Sequence, residues 1–263
     1  MSDKPFITYE QQVEVLKAKG LEVPDERHIM MLLKEYSYFA LVSGYKGLLK
    51  NRDGSYKPHT TIDDIYALYE FDNDLRALVL RYVFIIENHI KSLMSYAFCK
   101  EHGDSQQAYL DVTKYTYNSL TQNGVNELVN RLSRIIDESD LTRMIDMLSR
   151  FRNVCAHNER LYDYRYRKRH ISDMDVHSIL GIPKAKGVYK KGKNDLFAVV
   201  VIFKYLLRPE DFEPFVDSLE KLFATLFSKT RRIQEEQLLK KMGFPHNWKA
   251  IRNCEKKLGK ASA

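Results

Sequence analysis

Cysteine is scarce in this chain, and long apolar runs are missing from it. The three cysteines, Cys99, Cys155 and Cys254, are widely separated and form no CxxC pair. That argues against a disulfide framework and a cysteine-rich zinc site, and points to free thiols in a reducing compartment. The longest apolar run, Leu196 to Leu207, is interrupted by Lys204 and is too short to span a bilayer. The opening residues, MSDKPFITYE, lack a basic stretch followed by an apolar one, so no secretion signal is expected and a cytoplasmic location follows. Alternation of apolar and polar residues is absent too, which leaves no basis for a sheet, and no internal repeat of about 20 to 50 residues is visible.

What remains is the composition of a soluble globular protein. A hydrophobic share of 44% supplies a core, and a charged share of 29% is ordinary for a folded surface. The formal net charge of +7 favours a polyanionic partner, most simply nucleic acid.

Apolar spacing predicts helices throughout. Thr8 to Gly20 opens on a hydroxyl cap and closes on glycine, and Asp25 to Leu41 follows Pro24. Asn51 to Thr61 is dense in turn formers, suggesting a short hairpin-like excursion. From Thr61 to Phe98 the period is helical, with a break expected near Asp72 and Asn73. Tyr109 to Asn126 reads as a connection and Glu127 to Asp137 as a helix. An irregular Gly- and Lys-rich region after Arg169 precedes helices Leu196 to Leu207 and Pro209 to Lys229. The expected architecture is all-α: an N-terminal helical extension over 1–60, a helical bundle over 61–240 and a basic, frayed tail over 241–263.

The stretch Leu141 to Arg169 carries the chemistry. Leu141, Met144, Ile145, Leu148, Phe151 and Cys155 recur at spacings of three and four and form one helical stripe. Arg150, Asn153, His157 and Arg160 fall on the opposite face, so guanidinium, amide and imidazole would be presented together. Imidazole both takes and gives a proton near neutral pH, and Arg152 offers a permanent planar charge for a phosphate oxygen. Five positions separate Arg152 from His157, roughly 140° of rotation and 7.5 Å of rise on an ideal helix. An irregular helix near Asn153, a curled arginine, or two such helices meeting across an interface would each reconcile them; the last is favoured.

The pattern Arg-Asn-x-x-x-His at Arg152 to His157 resembles the Arg-x4–6-His signature of the HEPN superfamily of all-helical ribonucleases. The longer string RNVCAHNERLYDYR is similar to the Abi-like (AbiD/AbiF) abortive-infection family. EYSYFALVSGYKGLL at Glu35 to Leu49, LYEFDNDLR at Leu68 to Arg76 and MGFPHNW at Met242 to Trp248 extend the resemblance over nearly the whole chain. It implies a HEPN-type bundle that cuts RNA without metal or cofactor, the 2′-hydroxyl attacking the adjacent phosphate to leave a cyclic phosphate. It implies a toxin restrained by a small non-coding RNA, and a homodimer, because the chain holds a single motif.

On this reading Arg152 and His157 are catalytic, and Asn153 orients the imidazole or donates to phosphate. Glu87 and Asn158 are supporting candidates. Arg150, Arg160, Arg165, Arg167, Lys168, Arg169, Lys184, Lys186, Lys190, Lys191 and Lys193 form a basic set for RNA contact, with Tyr162, Tyr164, Tyr166 and Tyr189 as interleaved stacking surfaces. His89, Cys99 and His102 lack a fourth ligand, so no metal is expected. The alternative function is a non-catalytic RNA-binding or regulatory module using the same basic cleft.

Overall fold

The computed structural model describes residues 6–111 and 138–254, so the expected helix Glu127 to Asp137 lies outside the described residues, as does most of the connection before it. The fold is all-α. The order is α1 (Tyr9–Ala18), α2 (Glu26–Tyr36), a π-helical turn (Tyr38–Ser43), a 3-10 turn (Lys46–Leu49), α3 (Ile62–His102), α4 (Gln106–Leu110), α5 (Glu138–Ala156), α6 (Asp175–Ile179), a hairpin of β1 (Lys184–Ala185) and β2 (Val188–Tyr189), α7 (Leu196–Leu206), α8 (Pro209–Lys229), α9 (Glu235–Met242) and a last 3-10 turn (Trp248–Asn253). None of the described helices is long and apolar enough to cross a membrane.

The chain groups into two compact units, and α3 and α8 each contribute residues to both. One unit comprises 1–75 and 218–241. Its α1 starts at Thr8, whose hydroxyl accepts from the Gln11 amide while the Gln11 side chain accepts from the Thr8 amide, so each end of the box satisfies an orphan donor. Val13 and Leu16 of α1 and Ile29, Leu32 and Leu33 of α2 are buried, and the two helices lie against each other. α2 ends earlier than its apolar spacing predicts. Ser37 adopts φ 61° and ψ 153°, a conformation costly for any residue with a Cβ, and the chain re-enters as a π-helical turn with the Ser37 hydroxyl accepting from the Ala40 amide.

No break divides α3. Asp72, which suggested one, is wholly buried and accepts from the Tyr45 hydroxyl at 2.7 Å, so its carboxylate is satisfied from outside the helix and does not compete with the helical backbone. The first unit is completed by Phe71 against Phe223, Lys229 on Glu70 at 2.9 Å, and the Thr230 hydroxyl on Asp64.

The second unit comprises 76–217 and 242–263. Its centre is α7, capped by Asp195 and buried at every position from Leu196 to Phe203. Each fully buried aliphatic or phenyl side chain there contributes about 1.5–3 kcal/mol, which explains an apolar composition on all sides. Phe203 meets Tyr82 and Phe215, while Phe197 meets Phe244.

Two expectations are corrected in this unit. The segment after Met242 is not a frayed tail, at least as far as Cys254. Phe244 lies against both Phe197 and Trp248, and Trp248, Ile251 and Cys254 are buried. Arg252 holds Glu213 at 2.8 Å and Asp217 at 2.7 Å, and its carbonyl accepts from Lys204. A small sheet also exists: β1 pairs with β2 around Lys186 and Gly187, both at positive φ (51° and 80°), the combination a tight two-residue hairpin turn requires.

Candidate functional site

The second unit contains the expected site. On α5, Leu141, Met144, Met147, Leu148, Phe151, Val154 and Cys155 face the core; the predicted stripe is there, widened by Met147 and Val154, with Ile145 at its edge. Phe151 meets the Tyr164 ring edge-on, with centroids 5.1 Å apart.

His157 is not on the helix. α5 stops at Ala156, and the following residues form a closed helix-ending turn. The Asn158 amide donates to the Cys155 carbonyl at 3.2 Å, and the Glu159 amide reaches back to Val154 at 3.0 Å. Asn158 sits at φ 56°, the left-handed conformation this turn demands and one that asparagine tolerates better than most residues. The supporting candidate Asn158 therefore has a structural account. His157 is the capping residue of the turn: its amide donates to the Asn153 carbonyl at 2.9 Å, while its ring is exposed and makes no hydrogen bond or ion pair among the described residues.

Arg152 projects from the last helical turn in another direction. Its Nε lies 3.9 Å from Glu87 Oε1 on α3, and its Nη1 donates to Asn153 Oδ1 at 3.4 Å. Glu87, a supporting candidate, thus engages the arginine. Asn153 links the pair, through its side chain to Arg152 and through its carbonyl to the His157 amide.

The basic set divides. Arg167, Lys168, Arg169, Lys184, Lys186 and Lys190 are exposed. Arg150 and Arg169 both approach Asp146, at 3.9 and 3.7 Å, which brings them together on the outer face of α5, and Arg150 lies over the Tyr166 ring. Arg160 is held by Asp163 at 2.6 Å and lies over Tyr162. Lys184 pairs with Asp173 and lies 4.3 Å from the centre of the Tyr189 ring. Lys191 donates to the Phe244 carbonyl at 2.7 Å.

Lys193 leaves the exposed set. It is 6% exposed, with its ammonium on Asp173 at 2.7 Å. Arg165 donates to Asp195, a carboxylate buried at the start of α7 that also accepts from the Gly192 and Ala198 amides. Burial pushes the Asp195 carboxyl up to about 6, against the pull of the Arg165 guanidinium. Two of the expected stacking tyrosines are also corrected. Tyr162 and Tyr166 are buried, and Tyr189 is stacked on the ring of His177, itself wholly buried.

Sequence reasoning missed Arg76. This guanidinium is 3% exposed, and its Nη1 donates to the Glu159 carbonyl at 3.4 Å, two residues beyond His157. It closes the LYEFDNDLR string, but nothing in the spacing says that its far end meets the turn after α5.

Residues 31–140 match the family described as Abi-like protein. The match takes in Arg76 and Glu87 and ends before Arg152. No curated protein and no solved structure matches the chain.

Proposed function

We propose that the chain is an Abi-like protein of the AbiD/AbiF type acting in abortive infection, and that it is a metal-independent endoribonuclease of the HEPN kind. The similarity of residues 31–140 to the Abi-like family supports the defence role. The observation that carries the chemistry is the exposed, unengaged ring of His157 at the end of the helix that bears Arg152. In the proposed reaction one imidazole takes the proton of a ribose 2′-hydroxyl and the oxygen attacks the neighbouring phosphorus. The bond from phosphorus to the 5′-oxygen breaks, and a second imidazole returns a proton to that oxygen. Products are a 2′,3′-cyclic phosphate and a 5′-hydroxyl. Arg152 stabilises the crowded, charged phosphorane. Two imidazoles imply two copies of the chain, hence a homodimer, and a toxin of this kind is restrained by a small non-coding RNA.

Purification without nuclease treatment, sequencing of any bound RNA, and a cleavage assay with wild type and His157→Ala test this reading. Cleavage is expected to vanish in the variant with RNA affinity within about twofold of wild type. Cleavage by His157→Ala at the wild-type rate overturns it.

The engagement of Arg152 by Glu87 favours a second reading, in which the same face grips structured RNA without cutting it. Wild type would then bind RNA with a steep salt dependence and release no cyclic phosphate.

A further inference from the structure

A buried guanidinium is costly unless its donors are engaged, so the places where Arg76 spends them are informative. One donor goes to the carbonyl oxygen of Glu159. Glu159 is also the residue whose amide closes the turn on Val154. Its backbone is therefore held at both ends, through the amide by α5 and through the carbonyl by α3. His157 lies two residues upstream. Further along α3, Glu87 engages Arg152, five residues before the histidine. Eleven residues of α3 separate Arg76 from Glu87, about 16 Å at 1.5 Å per residue. One helix thus contacts the chain on both sides of the exposed imidazole, through a hydrogen bond to a carbonyl on one side and a looser ion pair on the other.

We infer that Arg76 is a positioning residue for His157: it fixes where the ring stands by locking the Glu159 carbonyl, without touching RNA. The consequence for catalysis rests on the ribonuclease reading, whereas the positional claim is measurable without it. Lysine keeps the charge at this site but not the planar, multidentate donor geometry, so Arg76→Lys should loosen the turn while the helices stay formed. Arg76→Gln removes the charge and keeps a donor.

The test is amide hydrogen exchange and the NMR signals of the His157 ring in wild type and both variants, with cleavage measured in parallel. In Arg76→Lys the Asn158 and Glu159 amides are expected to exchange at least about tenfold faster while α7 amides are unchanged, and the His157 ring signals to shift. The kcat is expected to fall about tenfold or more with KM for RNA within about twofold. A merely structural role predicts faster exchange across the whole unit, with activity tracking the folded fraction; that result overturns the inference, as do unchanged turn amides in both variants.

Should neither variant fold, native-state exchange of wild type in urea decides. The Arg76 side-chain N–H groups and the Glu159 amide are expected to open together, and opening of the turn while Arg76 stays protected rejects the coupling. Absence of cleavage by wild type would remove the ribonuclease reading alone.

Discussion

Glu87 Oε1 stands 3.9 Å from Arg152 Nε, with the two side chains 32% and 41% exposed. A carboxylate and a guanidinium at that distance in partial contact with solvent hold each other by no more than about 1 kcal/mol. The arginine is therefore held in place yet open to exchange its partner. On the proposed function, a phosphate of RNA, which can accept from a guanidinium bidentately, would compete with Glu87 for this cation.

Glu87→Gln is accordingly expected to tighten RNA binding by up to about fivefold at low salt, with the difference shrinking as salt rises, and to leave the fold intact. Fluorescence anisotropy with a short single-stranded RNA at two ionic strengths measures it. Weaker binding would mean that Glu87 orients Arg152 toward RNA and does not compete with it.

The left-handed Asn158 separates conformation from chemistry. Asn158→Gly should keep the turn and the activity, whereas Asn158→Val should cost roughly 1–2 kcal/mol, because a β-branched side chain is strained at φ 56°. Urea denaturation together with an activity assay reads both. Loss of activity in a fully folded Asn158→Gly would restore a direct role for the amide.

Gly243, in the MGFPHNW string, takes φ 84°, and a Cβ there would fall 2.1 Å from the Asp195 carboxylate. Gly243→Ala is expected to destabilise the protein by roughly 2–5 kcal/mol, combining backbone strain with displacement of a buried cap. Thermal denaturation by circular dichroism checks this, and a near-neutral effect would show that the close approach relaxes freely.

Acid and base should act on opposite sides of the α7 start. Burial lowers the His177 imidazole below its usual 6.5, against a hydrogen bond from its Nε2 to the Gly192 carbonyl, while Nδ1 accepts from the Met174 amide. Its folded value is the lower one, so its contribution is intact above about 6.5 and is lost as pH falls. Asp195 behaves oppositely: raised from 3.8 to about 6, it contributes fully below the ordinary carboxylate range and loses that contribution as pH rises through 6. Urea titrations from about pH 4 to 8 should show His177→Gln flattening the acid-side loss and Asp195→Asn flattening the loss between about 4 and 6. Parallel profiles for wild type and both variants would contradict the assignment.

Much of the helical core was legible because apolar spacing reports which side of a helix is buried. The α5 stripe and the nearly all-apolar α7 follow from it directly, and the Thr8 cap from residue type at a helix start. What spacing could not reveal was set by single backbone angles or by partners distant in sequence. Ser37 ends a helix whose apolar period continues past it, and Asn158 at φ 56° turns the chain off α5 just before Arg160, a residue expected to extend its polar face. Asp72 resembled a helix breaker only while its partner Tyr45 was unknown. The basic stretch is more compensated than its own sequence shows, because Asp146 and Asp195, which meet Arg150, Arg165 and Arg169, lie outside it. Tyr162 and Tyr166 read as a platform because charges flank them, yet both rings are buried while Arg167 beside them is exposed.

The end of α5 at Ala156 makes the interval between arginine and histidine a gauge of helix length. Deleting or inserting one residue between Arg152 and Asn158 would swing the imidazole by about 100° relative to the guanidinium. Among homologous chains, variation in that interval should be accompanied by a shifted helix end or a relocated acidic residue on the neighbouring helix. On the ribonuclease reading, an altered interval without either change would mark a copy unable to cleave RNA.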